Sequence, residues 1–303
     1  MIGIIESDKS SNSSMQAEAA FPAPVDRLSA LFERFRVRAR LFHSGPLCGT
    51  TRFAAEPGRA FLHVLRRGDM KVTHRARSGA PRELTLSEPT LLFYPRPLEH
   101  HFRNVPVEGS DFVCATLDFD GGAKHPLVQA LPPVVALPIA RVDGMEGTLA
   151  LLFAETERLR CGQRLLADRL FEVLVLQMLR WLLDHPEHGE LQPGLLLGLA
   201  NPRLARALTA LHERPGEPWS LDTMAREAGM SRSAFSAAFR DTLGTTPGAY
   251  LLRWRVSLAQ GLLREGAAVK HVSDELGYAS PAAFTRAFTQ LVGESPRSWR
   301  KQG

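Results

Sequence analysis

Cysteine and histidine side chains in the first half of the sequence are the groups that could react with an oxidant or bind a metal. Cys48 lies in the stretch GPLCGTT, and Cys114 lies in the alternating stretch DFVCATLDF. A thiol beside basic or imidazole groups ionises and oxidises readily, whereas a thiol among Val and Phe is an inert core residue. We predict that an effector or redox site is drawn from five residues: Cys48, Cys114, His63, His100 and His101.

The same histidines do not complete a metal site. The stretch FLHVLRRGDMKV supplies only His63, and no HxH pair occurs, whereas a catalytic zinc needs three protein ligands. The alternative for His100 and His101 is that both lie at a barrel rim, with one facing solvent. Cys161 is the third cysteine, and three scattered cysteines do not make a disulfide scaffold or a zinc knuckle. We therefore expect no metal and no cofactor.

A second group of candidate residues lies in the last third of the chain, where one apolar pattern occurs twice. Its five residue pairs share an offset of 49: Phe235/Phe284, Phe239/Phe288, Gly244/Gly293, Pro247/Pro296 and Tyr250/Trp299. Each copy predicts two short helices joined by a tight turn at a glycine, which is the helix-turn-helix pattern. The second helix of the first copy is predicted over 232–243. A connecting helix over 247–264 then fixes the separation of the two copies.

The segment from Asn201 to Arg300 resembles the DNA-binding domain of AraC/XylS-type transcription regulators. GTTPGAYLLRWRVSLAQGLLREG matches the linker helix, and VSDELGYASPAAFTRAFTQLVGESPRSWR matches the signature region of that family. The resemblance implies a domain of seven helices and two modules that binds adjacent major-groove segments of promoter DNA. It also implies RNA polymerase as a partner.

The resemblance places eight residues at groove-facing positions. We expect Arg286 to contribute most of the base specificity and Arg240 to contact a phosphate, since Arg can make a bidentate contact with guanine. The first recognition helix carries few long side chains, which limits its direct base contacts. The eight positions are Arg232, Ser233, Ser236, Ala237, Arg240, Ala282, Thr285 and Arg286.

The first half of the chain reads as an antiparallel β-barrel or sandwich, because short strand patterns are cut by Gly and Pro. LTLSEPTLLFYPRPLEHHFRN resembles the second cupin motif, with Pro95 and Asn104 at suitable spacing but Glu88 in place of the turn glycine. Together the two halves resemble the cupin-fronted branch of the AraC regulators. That branch implies control by a small molecule or an oxidant, and dimerisation through the helical segment that follows the barrel.

Composition and charge fit this α+β organisation. The 303 residues are 44% hydrophobic and 23% charged, with a net charge of +5, which is typical of globular domains. The excess lies after Pro193, where 14 Lys or Arg face nine Asp or Glu, and the rest of the chain has 23 of each. We predict a disordered tail (1–22), a cupin-like sensor domain (23–140), a helical dimerisation and linker segment (141–192) and a double helix-turn-helix domain (193–303).

The N-terminus lacks the positive start and apolar run of a signal peptide, and no apolar run is long enough to span a bilayer. We therefore expect a cytoplasmic protein, and the family resemblance implies that it is a homodimer. The alternative is a cupin-type metal enzyme with a helical appendage. Against it, the sequence shows no complete metal triad, no phosphate-binding glycine motif and no GxSxG nucleophile elbow. A DNA-repair fusion would need a reactive cysteine in a zinc or alkyl-transfer setting, which the cysteine spacing does not provide.

Overall fold

The computed structural model describes residues 25–47, 49–104, 110–122, 125–188 and 191–302. The predicted tail and Cys48 lie outside these residues. The strands are β1 Val37–Leu47, β2 Thr50–Phe53, β3 Arg59–Arg67, β4 Met70–His74, β5 Glu83–Leu86, β6 Thr90–Tyr94, β7 His100–Asn104, β8 Ser110–Phe119 and β9 Val135–Pro138.

Helices flank the strands and then form the rest of the chain. In the described part of the chain, none of them combines the length and apolarity needed to cross a membrane. They are α1 Ser29–Arg34, α2 Pro126–Ala130, α3 Met145–Thr156, α4 Gln163–Asp184, α5 Leu195–Ala200, α6 Pro202–Glu213, α7 Leu221–Glu227, α8 Arg232–Leu243, α9 Pro247–Arg264, α10 Val269–Glu275, α11 Pro281–Val292 and α12 Pro296–Gln302.

The strands form two antiparallel sheets that face each other. One sheet has the order β1-β8-β3-β6-β9, and the other has the order β2-β7-β4-β5. Strands β3 and β6 lie inside the first sheet and are buried on both faces along most of their length, because the second sheet covers one face and helices cover the other. The second sheet alternates buried and exposed residues, since only its inner face is covered. The predicted α+β architecture is confirmed.

Helix α4 packs along β1, the edge strand of the five-stranded sheet. Two of its carboxylates accept hydrogen bonds from the exposed strand edge: Asp168 from Leu41 N at 2.7 Å and Glu172 from Ala39 N at 3.3 Å. An uncovered strand edge presents unpaired backbone N–H groups to other chains. The helix therefore closes this edge as well as covering the sheet face.

An aromatic contact joins the barrel to the helical half. Phe35, at the end of α1, lies 5.2 Å from the Trp254 ring of α9 and 5.3 Å from the His125 ring, measured between ring centroids. Trp254 also lies 4.1 Å from His212 of α6, and the Nε2 of His212 is 2.6 Å from the Tyr250 hydroxyl. The buried apolar core is consequently continuous from the five-stranded sheet into the helices.

Five buried histidines are held in the neutral form by their surroundings. Burial lowers the pKa of His100 and His125 to about 4 and that of His212 to about 3. Burial also lowers the pKa of His63 and His74. In the unfolded chain these groups titrate near pH 6.5, so the unfolded state binds more protons below that pH.

Stability should therefore fall as the pH is lowered from about 7.5 to about 5, by up to about 1.4 kcal/mol per pH unit for each of these histidines. Urea unfolding midpoints across this range measure the slope. His212→Gln should make the slope shallower, whereas the same change at His271, whose side chain is exposed, serves as the control. An unfolding midpoint that does not change with pH would contradict this account of the neutral core.

Candidate nucleic-acid interface and sensor site

Helices α7 and α8 form the first helix-turn-helix module, and a serine caps each of them. Ser220 Oγ accepts a hydrogen bond from Thr223 N at 3.2 Å, and Thr223 Oγ1 accepts one from Ser220 N at 2.8 Å. Ser231 Oγ accepts one from Ala234 N at 3.3 Å. Gly229 makes the turn between the helices with a φ of 61°, so local chemistry alone sets where both helices begin.

Helix α8 has one buried face and one solvent face. Its buried residues are Phe235, Phe239 and Leu243. The predicted groove-facing residues lie off that buried face. Four of them are exposed and one is half-buried: Arg232, Ser233, Ala237, Arg240 and the half-buried Ser236. The fold leaves these side chains available to a ligand, and their contact with DNA stays a prediction.

One groove-facing arginine is paired with a carboxylate of the same module. The Nε of Arg232 lies 3.0 Å from Oδ1 of Asp222, and both side chains are more than half exposed. Asp222 is in the first turn of α7, and Arg232 is the first residue of α8. The sequence pattern alone does not reveal this pair, because its members are ten positions apart and a turn lies between them.

Helices α10 and α11 repeat the arrangement in the second module. Ser280 Oγ accepts a hydrogen bond from Ala283 N at 3.2 Å, and Phe284 and Phe288 are buried. Of the predicted residues, Ala282 and Arg286 are exposed and Thr285 is half-buried. The Thr285 hydroxyl donates to the Pro281 carbonyl at 2.8 Å, so its proton is already used within the helix.

The two modules are held together by contacts that the sequence did not reveal. Arg255 of α9 donates from Nε to the Pro215 carbonyl at 2.7 Å and from Nη2 to the Glu217 carbonyl at 2.8 Å. Gly277, in the turn of the second module, has a φ of 69°, and a Cβ there would lie 2.0 Å from the Gly216 carbonyl oxygen. The turn of the second module therefore packs directly on the loop that precedes the first.

Within the barrel, the structure brings together two of the predicted sensor residues. His100 Nδ1 lies 2.8 Å from the Leu98 carbonyl, so this nitrogen carries the hydrogen. His100 Nε2 must then accept, and the His63 Nε2 at 2.9 Å must donate. His63 Nδ1 is left as a buried acceptor that has no hydrogen-bond partner among the described residues.

This pair lies in the barrel interior and not at its rim. Aromatic rings surround it: Tyr94 stacks on His100 at 3.9 Å, and Phe53 and Phe102 lie within 5 Å of His63. His101 is on the opposite face of β7, where its Nε2 lies 3.8 Å from a Glu99 oxygen. Alternation along the strand separates these two adjacent histidines.

The cysteines occupy different environments. Cys114 is fully buried and lies directly opposite His63 in the β3–β8 ladder. Burial raises the pKa of its thiol well above the ordinary value, so little thiolate is present near neutral pH. This environment favours the core alternative for Cys114. Cys161 is exposed in the turn between α3 and α4, and Cys48 is not among the described residues.

No three His, Cys, Asp or Glu side chains of the described ranges come together in a way that could hold a metal ion. The functional candidates are therefore the two exposed recognition helices and the interior imidazole pair.

Comparison with known proteins gives two family matches. The cupin family matches residues 26–184, and the helix-turn-helix domain family matches residues 224–302. A putative AraC-like transcription regulator of Streptomyces lividans is 34% identical over 186 residues, which are 60% of this chain and 60% of the relative. The chain therefore spans less than two thirds of that relative's length.

Two further similarities cover other parts of the chain. The RCS-specific HTH-type transcriptional activator RclR of Escherichia coli strain K12 is 26% identical over 223 residues, 72% of this chain and 77% of RclR. The crystal structure of the DNA-binding domain of AdpA in complex with a target DNA is 32% identical, with a TM-score of 0.32, and covers 32% of this chain and 89% of that one. With a cupin domain followed by a helix-turn-helix domain of this type, the chain belongs to the AraC-type transcription regulators that carry an N-terminal cupin domain.

Proposed function

We propose that the protein is a sequence-specific, duplex DNA-binding regulator of transcription whose activity is controlled by a signal acting on its N-terminal domain. The observation that carries the proposal is the pair of exposed recognition helices, α8 and α11, joined by one continuous helix. The 18 residues of α9 extend about 27 Å at 1.5 Å per residue. This length is comparable with the roughly 34 Å of one DNA turn, so one chain can address two adjacent major-groove segments.

Charge supports the same partner. The excess of Lys and Arg lies after Pro193, and the exposed Arg240 and Arg286 lie on recognition helices. Phosphate neutralisation by such residues supplies affinity, and base-edge contacts supply specificity. We propose promoter DNA and RNA polymerase as partners, an action in the cytoplasm and no enzymatic activity. The names of the relatives as transcription regulators support the regulatory role.

Replacement of the two exposed arginines should separate base reading from phosphate contact. Arg286→Ala should weaken binding to a selected site by about 1–3 kcal/mol and relax the preference at one base position, because a bidentate donor is lost. Arg240→Ala should weaken binding to all duplexes similarly and reduce the salt dependence by about one phosphate contact. Anisotropy titrations over a range of salt concentrations measure both. Equal weakening of every duplex by Arg286→Ala would exclude base reading by that residue.

The sensor is proposed to be the domain over residues 23–140, and the helical segment 141–192 is proposed to link it to the domain over 193–303 and to form the dimer contact. The aromatic contact of Phe35 with Trp254 supports a direct route between the two ends. Two kinds of signal are consistent with the family. One is an oxidant that reacts with Cys48 or Cys114, and the other is a small molecule that binds beside His63, His100 or His101. The burial of Cys114 makes Cys48 the better thiol candidate.

Oxidation should distinguish these thiols. The native protein is treated with an oxidant and then denatured, and the remaining thiols are alkylated and counted by mass spectrometry. Cys114 should oxidise more slowly than the exposed Cys161, because its raised pKa withholds the thiolate. The Cys161→Ser variant then isolates the other two thiols. If the protein is a redox sensor, the oxidant treatment that changes the DNA affinity of this variant must also remove the Cys48 or the Cys114 thiol. If both thiols persist while affinity changes, thiol sensing is excluded.

Apolar exposure supports a homodimer through the helical segment. Seven large apolar side chains are exposed among the described residues, and five of these lie in α3, α4 and the turn between them: Leu151, Leu159, Leu165, Leu166 and Val173. Elsewhere the exposed examples are Phe42 and Leu291. Clusters of exposed apolar residues of this kind mark interaction surfaces, and we propose a second copy of the chain as the occupant.

Leu165→Glu should shift the full chain from dimer to monomer, because it places a charge within the proposed interface. Light scattering after size-exclusion chromatography measures the mass. Leu291→Glu, which makes the same change at an exposed leucine outside this segment, should leave the dimer intact. A wild-type protein that is monomeric at all concentrations tested would rule out the proposed dimer.

A further inference from the structure

The ion pair between Asp222 and Arg232 lies on the surface that the proposed function assigns to DNA. We propose that Asp222 positions Arg232 to read a guanine in the half-site of the first module, so that the pair sets one base preference of the operator. The inference rests on the proposed DNA-binding function. It assigns a base-reading role to a module whose other predicted groove-facing side chains are short, apart from Arg240, which is predicted to contact a DNA phosphate.

The geometry of the pair leaves the reading edge of the guanidinium free. Asp222 contacts the Nε of Arg232 at 3.0 Å, whereas the two Nη groups point away from the side-chain stem. A guanidinium has five N–H donors in a fixed fork. With Nε held by the carboxylate, the Nη donors can meet the O6 and N7 acceptors of guanine together, which is the commonest specific arginine contact in the major groove.

The position of Arg232 in the module suits this role. It is the first residue of α8, directly after the Ser231 cap, and the N-terminal residues of a recognition helix are the ones that contact base edges. The remaining predicted residues of α8 are Ser233, Ser236, Ala237 and Arg240. Of these only Arg240 is long, and it lies two turns further along the helix.

The second module shows that the pair is not needed to build the fold. At the offset of 49 residues, His271 and Pro281 stand where the first module has Asp222 and Arg232. The second module nevertheless forms the same two helices with an equivalent serine cap. An exposed ion pair also contributes little to folding stability. A purely structural role therefore does not account for the pair.

The negative charge of Asp222 has a second consequence at this surface. A carboxylate near the phosphates opposes binding to any duplex, whereas its hold on Arg232 favours only sites with guanine in the correct place. Only the hold on Arg232 raises the ratio of specific to non-specific affinity, which is the quantity that selects a site among many competitors. Asp222 is thus a positioning residue for specificity and not for overall affinity.

Selection of bound sites from random duplexes with the full-length protein tests the proposal. The wild type should select a guanine at one position that Arg232→Ala no longer selects, while the preference assigned to Arg286 stays intact. Asp222→Asn should reduce the guanine preference at that same position by about tenfold or more, in line with the loss of a well-oriented bidentate contact. Its affinity for non-specific duplex should be equal to or above that of the wild type.

Glu265→Gln removes an exposed carboxylate elsewhere in the same domain and should leave the guanine preference unchanged. Thermal melting of each variant, expected to match the wild type, separates a specificity effect from misfolding. The proposal is overturned if Asp222→Asn raises the affinity for every duplex equally and keeps the guanine preference, because Asp222 then only masks charge. It is also overturned if Arg232→Ala selects the same sites as the wild type. A wild type that selects no sequence at all would instead show that the proposed function fails, and this inference with it.

Discussion

The packing around helix α9 is the constraint on which the rest of the structure depends. This helix contacts α7 and α8 of the first module and α10, α11 and α12 of the second module. Its Trp254 also meets Phe35 of the barrel and His212 of α6. Both recognition helices and Phe35, which leads into the barrel, therefore pack against the same helix. Because close-packed interiors transmit displacement and do not absorb it, a change at the barrel end of this contact has a direct path to the DNA-binding surface.

The spacing of the two modules depends on more than the length of α9. Arg255 holds the loop before the first module through two backbone carbonyls, and Gly277 allows the turn of the second module to approach the same loop. Any side chain at Gly277 would collide with the Gly216 carbonyl and would also occupy a left-handed conformation. These contacts make the two reading helices a single unit, which suits a protein that addresses two adjacent stretches of groove.

The interior of the barrel is filled by aromatic and imidazole side chains. His63 and His100 share one hydrogen between their Nε2 atoms, inside a shell that includes Tyr94, Phe53 and Phe102. His63 Nδ1 is a buried imidazole acceptor that has no hydrogen-bond partner in the part of the chain that the structure describes, and such a group costs free energy. Modification of either imidazole, or of Cys114, which lies opposite His63 in the β3–β8 ladder, would therefore disturb a closely packed interior.

The sequence by itself determined the local features of this protein. Serine caps, helical periodicity and glycine turns predicted α8 and α9 with the bounds that the structure shows, because helix limits depend on residues within one or two turns. The repeat at an offset of 49 predicted two equivalent modules for the same reason. Tertiary structure alone decided which distant residues meet: Phe35 with Trp254, His63 with His100, and Arg255 with the loop around Pro215. Alternation along β7 predicts that His100 and His101 lie on opposite faces of the strand. Only the packing of the two sheets decides which of them is in the core. Such contacts depend on how whole elements pack, and a local pattern is compatible with many packings.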